Sequence, residues 1–441
     1  MFKLSLCPDT RQGHLDLAKE QLNLGQARIA PAPSQGEEKA PTGAEIKRKP
    51  LPTEQAADLL GSHYLSIRNG PLNDLVPLSK EALHRSTLGL QLESTIPYYL
   101  THLFDRLGIN SSGLRAASHF TIAEPLNTAK GDTRGHYTAP FSVIDESGNM
   151  KFMQHSTSTL LHEVVHALGK LTFSFSEDGN SLYLSQAGLS MWKRHNPSKP
   201  AQNRRLFGLF DEALTSITQA NFLANYMGFQ SILFSNSLPI KADNKQLLLN
   251  GQDILPALQT AGLVTKLKTG EERLLLYYDR LYQGESLTDS AILEKAKKID
   301  AADSSGSLKA DSKTAYAQIR DRQFLYHDSA YAVLSYYIQI LAQELWPDLG
   351  KQEAQEALHS SLLLAQVSGD LKPLTRSMKK AFGENAGLYV RALASINQFE
   401  NTDPQICAFA AFVKAGNFPH EKRDSTRKLL ATAILNRPKT I

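Results

Sequence analysis

Five consecutive residues carry the clearest chemistry in the sequence: His162-Glu163-Val164-Val165-His166, a His-Glu-x-x-His pattern. On a helix, residues four apart lie on one face with their side chains one above the other, so the two imidazoles can converge on a single tetrahedral zinc ion. Glu163, one position on, is placed to take a proton from the water that such a metal activates. That division of labour is what hydrolysis needs. With 13 His in 441 residues, a chance match somewhere in the chain is on the order of 2%, so the flanks must help decide. They agree with the motif. Thr159, Leu160, Val164, Val165, Ala167 and Leu168 are all uncharged, and the apolar ones give the helix a side to bury. Ser156, Thr157 and Ser158 offer N-caps, and Gly169 offers a C-terminal stop.

A catalytic zinc site takes three protein ligands and keeps one position open. No third His follows closely, because the sequence runs from His166 to Gly169, Lys170 and a β-prone stretch. The two cysteines, Cys7 and Cys407, sit near opposite ends of the chain, which supports neither a disulfide framework nor a thiolate site. The remaining ligand must be a carboxylate or a distant His. Downstream, Phe210-Asp211-Glu212-Ala213-Leu214-Thr215-Ser216 follows a helical pattern in which Leu206, Phe210, Leu214 and Ile217 form one apolar stripe. Glu212 is the expected third ligand, and Asp211 is the alternative if that helix is rotated. Acids in a helix's first turn also favour its dipole without any metal.

Residues Thr159 to Leu168 resemble the extended signature of the zincin metallopeptidases, and the addition of Glu212 on a second helix is similar to the gluzincin arrangement. The likeness covers about 100 residues. The metzincin continuation, with Gly and His shortly after the second motif histidine, is missing. The resemblance implies a zinc peptidase with Zn2+ on His162, His166 and Glu212 and with Glu163 as the general base. It also implies an upstream edge strand that binds a protein or peptide substrate in extended form, for which Gly135 to Phe141 is the candidate. The position four beyond the third ligand often orients a ligand His in that arrangement; here it is Ser216, where an acid is more usual. A donor for the tetrahedral oxyanion is expected from Tyr326, His327 or Tyr331, while His136 and His155 are read as bystanders. Two other classes share these residues: a zincin-like fold retained as a binding or scaffold module, and a metal-dependent hydrolase of a non-peptide bond.

The elements that must position these groups follow from patterning. Helical patterns occupy Glu54 to Ile67 and Ser94 to Leu107, followed by β-prone runs at His119 to Ala123, Gly135 to Ile144 and Lys151 to Met153. Glu146-Ser147-Gly148-Asn149 marks one turn, and Glu177-Asp178-Gly179-Asn180 joins a hairpin of Leu171 to Phe175 with Leu182 to Ser185. From Leu206 onward the chain reads as helices, broken by a polar stretch from Asp300 to Ser312. From Pro31 to Gln55 there are five prolines, with Ile46 and Leu51 as the only large apolar residues. Residues 1–55 are therefore expected to be a disordered tail, 56–232 a zincin-like catalytic core, and 233–441 a helical lobe. The fold class is α+β, predominantly α, with an all-helical C-terminal part.

Composition excludes several other classes. Hydrophobic residues make up 41% and charged residues 21%, which is ordinary globular usage, and Lys+Arg 48 against Asp+Glu 44 leaves +4 with no basic cluster for nucleic acid. The most apolar long window, Ala330 to Trp346, contains Ser335, Gln339, Gln343 and Glu344, and so reads as a packed helix and not as a membrane span. Met1 to Cys7 is too short for a secretory apolar region. The expected location is cytoplasmic, with non-classical secretion as the alternative.

Overall fold

The computed structural model describes residues 10–31, 52–69, 96–109, 161–175, 182–193, 204–226, 330–396 and 404–436, strands at 121–124, 135–138 and 141–145, and short segments between 240 and 326. The chain is mostly helical with a small mixed sheet, an α+β fold that is mainly α. It divides into two compact units: one formed by Met1–Lys193 with Leu363–Asp370, the other by Arg194–Leu362 with Leu371–Ile441. The first division falls after Lys193, ahead of the expected position 232.

The first unit begins where a tail was expected. Helix α1 (Arg11–Asn23) is capped by Thr10, whose side chain accepts from the Gly13 N–H, and it leads into strand β1 (Ala27–Pro31). Helix α2 (Thr53–Asn69) packs against α1. The tail reading is therefore corrected for residues 10–31. Leu17, Ala18 and Ala27 are buried in one cluster with Leu60, Tyr64, Leu171 and Phe173, and the Tyr64 hydroxyl donates to the Gln21 side chain. The proline-rich composition begins only at Pro31, and the residues before it hold enough apolar surface to repay their ordering. Residues 32–51 lie outside the described part.

Helix α3 (Ile96–Leu107) buries Ile96, Tyr99, Leu100, Leu103 and Phe104, the apolar face that its spacing predicts. Strands β2 (Thr121–Glu124), β3 (Gly135–Thr138) and β4 (Phe141–Asp145) form a separate sheet in the order β2-β4-β3. The expected run from Gly135 forms two strands: β3 lies at the edge of the described sheet, while Phe141 opens the central strand and pairs back onto Thr138. The turn at 146–149, the run at 151–153 and the proposed caps at 156–158 lie outside the described residues.

Helix α4 comprises described residues 161–167, with Leu161, Val164, Val165 and Leu168 buried. It leads through Gly169 and Lys170 into β5 (Leu171–Phe175), which pairs antiparallel with β6 (Leu182–Ala187), as the hairpin reading expects. β6 turns through Gly188 and Leu189 into β7 (Ser190–Lys193). On its other side β5 takes β1 as a parallel neighbour, from Ala27 opposite Leu171 to Pro31 opposite Phe175. The sheet is mixed because β5 pairs parallel with β1 and antiparallel with β6.

The second unit starts with strand β8 (Arg204–Leu206) and helix α5 (Gly208–Tyr226). Short strand pairs and one short helix, α6 (Leu255–Thr260), occupy the described parts of 240–326. The expectation of an all-helical C-terminal part is thus corrected. Strands of two to four residues, such as Ala317–Arg320 paired with Gln323–Tyr326, are too short for period-2 alternation to stand out in sequence. Helices do fill the remainder: α7 (Ala330–Leu345), α8 (Lys351–Ser368), α9 (Lys372–Phe382), α10 (Ala386–Ser395), α11 (Pro404–Lys414) and α12 (His420–Leu435). Residues 363–368 of α8 count with the first unit and the rest with the second. In the second unit's core, Arg427 is buried between a bidentate pair with Glu344 at 2.6 Å, the Phe412 carbonyl and the Phe412 ring. No helix among the described residues is long and apolar enough to cross a membrane.

Because Leu17 and its neighbours close one side of the first unit's core, deleting residues 1–31 should abolish a cooperative melting transition for that unit. Leu17→Ala should cost about 2–4 kcal/mol in urea unfolding. A deletion variant that melts like the full chain would return this segment to the status of a tail.

Candidate metal centre

The helix and the spacing do what the pattern requires. His162 and His166 lie on one face of α4, their ring centroids 4.9 Å apart and their planes inclined at 75°. His166 and Glu163 are each 6% exposed and His162 is half-buried, so this face is largely withdrawn from solvent. The apolar residues Val164, Val165 and Leu168 hold the opposite face in the core. Gly169 follows the end of the helix, as its sequence position suggests, but its backbone is not left-handed. Glycine is needed there for close approach: a Cβ would lie 2.8 Å from the Gly188 nitrogen.

Glu212 is set by the entry into α5. Phe207 joins β8 to the helix with a φ of 61°, a left-handed conformation that costs a bulky residue on the order of 1–3 kcal/mol. Its ring is buried, its N–H donates to the Ala394 carbonyl at 2.6 Å, and the Leu209 N–H donates to the Ile396 carbonyl at 3.1 Å. These anchors fix where the first turn begins. They also correct the apolar stripe: Leu206 belongs to β8, while Phe210, Leu214 and Ile217 form the buried face of the helix itself.

The two adjacent acids are then distinguished by their partners. Arg205 Nη2 lies 2.8 Å from Asp211 Oδ2 and 3.5 Å from Glu212 Oε1. Burial alone would lower the Arg205 pKa, but the charges of Asp211 and Glu212 outweigh it and hold the guanidinium above its ordinary value. Asp211 is the closer partner of that cation. His162, His166 and Glu212 form a group that could hold a metal ion, each offering one ligand atom, all within 4.8 Å of one another. Two imidazoles and one carboxylate are also a donor set that suits zinc.

Further along α5 the polar residues divide. Thr215 donates to the Glu212 carbonyl at 2.8 Å, and Thr218 shares a buried 2.9 Å hydrogen bond with His359 of α8. Ser216, four residues beyond Glu212, has a buried Oγ with no hydrogen-bond partner among the described residues. Of the expected oxyanion donors, Tyr326 ends a strand and Tyr331 lies in the first turn of α7, while His327 is outside the described residues, as is His155. His136 lies in β3. Sequence reasoning missed Arg205 and Gln366, and no local signal marks either one. The second is a side chain on α8 whose hydrogen bonds reach α4.

Zinc titration should rank the two acids. Glu212→Ala is expected to weaken binding by more than about 100-fold, beyond the range typical of outer-shell changes. Asp211→Ala should keep affinity within about tenfold and instead cost about 1.5–3 kcal/mol of stability, the worth of a hydrogen bond to a charged group. The reverse order would make Asp211 the ligand.

In comparisons with known proteins, the chain matches no family model, no curated protein and no solved structure.

Proposed function

We propose that the chain is a zinc-dependent peptidase in which His162, His166 and Glu212 hold the metal and Glu163 acts as general base. The observation that carries this reading is the grouping of two motif histidines with a carboxylate from a separate helix, their ligand atoms within 4.8 Å. Zinc held by these groups would supply Lewis acidity and would lower the pKa of a water molecule to about 7. Glu163 would take the proton from the attacking water and deliver it to the amide nitrogen as the carbon–nitrogen bond breaks. Its low exposure keeps bulk water from competing for the proton. Half-buried His162 marks the side from which a substrate can approach.

The choice of a peptide bond rests on the likeness of Thr159 to Leu168 to the zincin signature, because ligands and base specify metal-assisted hydrolysis and not its substrate. A strand at a sheet edge, as β3 is among the described strands, can pair with an extended peptide through main-chain hydrogen bonds, indifferent to side chains. On the same likeness, oxyanion stabilisation falls to Tyr326, His327 or Tyr331.

Metal analysis and a peptide-library digest test the reading together. The purified chain should carry about one zinc, and His162→Ala or His166→Ala should lose it. Glu163→Gln should retain the metal and lose about 10²–10⁴-fold in hydrolysis, since it removes the base and neither imidazole. Unchanged zinc in both histidine variants would sink the site, and full activity in Glu163→Gln would move the base elsewhere.

A further inference from the structure

We propose that Gln366 is the positioning residue for His166: its buried side-chain amide fixes the last turn of α4, on which that ligand sits. The proposal rests on the zinc reading above. Gln366 is 1% exposed, and its amide is fully used. Nε2 donates to the carbonyls of Val165 and His166 at 3.1 and 3.2 Å, and Oε1 accepts from the Leu189 N–H at 2.8 Å. The Gln366 main-chain carbonyl accepts from the Lys170 N–H at 3.0 Å. A primary amide has two N–H donors and one acceptor oxygen, so two carbonyls on one side and an N–H on the other admit it in a single orientation.

The slot is shaped for this group. Gly188 has a φ of +55°, and a Cβ there would lie 2.0 Å from Gln366 Oε1; a Cβ at Gly169 would lie 2.9 Å from Nε2. Two glycines therefore open the space that the amide fills. Neither glutamate nor methionine can replace it. A carboxylate would set oxygen against two carbonyl oxygens, and a thioether would remove the bonds to the Val165 carbonyl and the Leu189 N–H and leave the His166 carbonyl only the Gly169 N–H.

The contact falls on the main chain of His166 itself and of the residue before it. A metal ligand must be held to about 0.5 Å and 10–20°, so rotation of this last turn translates directly into a misplaced imidazole. His162, one turn earlier, receives no bond from Gln366 among the contacts described. Gln366 thus acts through His166 and touches neither metal nor substrate.

The test compares three variants of the full chain with a destabilised control. Gln366→Met and Gln366→Glu should weaken zinc affinity, measured against a competing chelator, by about 10- to 100-fold. Gln366→Asn keeps the amide but shortens its reach by one methylene, and it should fall between these and the wild type, which preserves the test if the other two fail to fold. Leu60→Ala, a cavity in the α1–α2 core, should lower the melting temperature yet bind zinc within about threefold of wild type. Hydrogen exchange on metal-free protein gives a readout independent of zinc. The Leu168 and Gly169 amides, bonded to the Val164 and His166 carbonyls at 3.0 Å, should exchange at least about tenfold faster in the Gln366 variants. Wild-type affinity in Gln366→Met, or equal loss in Leu60→Ala, overturns the proposal. A wild-type chain that takes up no zinc overturns the metal reading and the positioning role with it, while the exchange data report separately on whether the amide holds the helix end.

Discussion

A helix that stops leaves its last four carbonyls without helical partners, and the arrangement of the first unit follows from how that deficit is met at the end of α4. Leu168 and Gly169 fold back to satisfy the carbonyls of Val164 and His166. The amide of Gln366 supplies the bonds that the local chain cannot make, to Val165 and again to His166. From that point the chain runs straight into β5, whose first residue already takes the Gln26 carbonyl at 2.8 Å. The register of β1 on β5, and through it the seat of α1 and α2, is counted from the same place. The glycine requirement at 169 and 188 belongs to the same place: Gly188 gives way to the Gln366 amide, and Gly169 to that amide and to the Gly188 backbone.

The second unit meets a different demand. α5 carries Asp211 in its first turn and Glu212 directly after it, and a strained residue sets the start. Phe207 is held left-handed by its buried ring and by a hydrogen bond to the Ala394 carbonyl in the last turn of α10. Arg205, two residues before it, then reaches both acids and sorts them by distance, 2.8 against 3.5 Å. Strain at one backbone position is thereby exchanged for a fixed carboxylate geometry.

What the sequence makes legible is what local spacing controls. Histidines four apart identify a helical face before any fold is known, and the alternation in Leu171 to Phe175 and Leu182 to Ser185 identifies a hairpin by its turn residues. Glu212 is legible as an acid on an amphipathic helix, but its difference from Asp211 is not, because that depends on Arg205 and on a helix start displaced from Leu206 to Gly208. The segment from Arg11 to Pro31 is misread for a compositional reason: a proline-rich stretch begins where it ends, and the few apolar residues that bury it gain their partners from α2 and β5. Gln366 is illegible in principle. Nothing near it in sequence distinguishes it from Gln352 or Gln355, and its partners lie 200 and 201 residues away.

That separation has a consequence in time. Synthesis proceeds at about 5–20 residues per second, with earlier segments emerging first. His162, Glu163 and His166 therefore leave the ribosome about 10–40 s before the amide that holds their helix end has been made. Contacts of such long range also close slowly once both ends exist. A nascent chain in this interval carries His162, Glu163 and His166 on a helix whose last turn lacks the bonds from Gln366. The order of residues along the chain thus delays assembly of the site until most of the second unit has been synthesised.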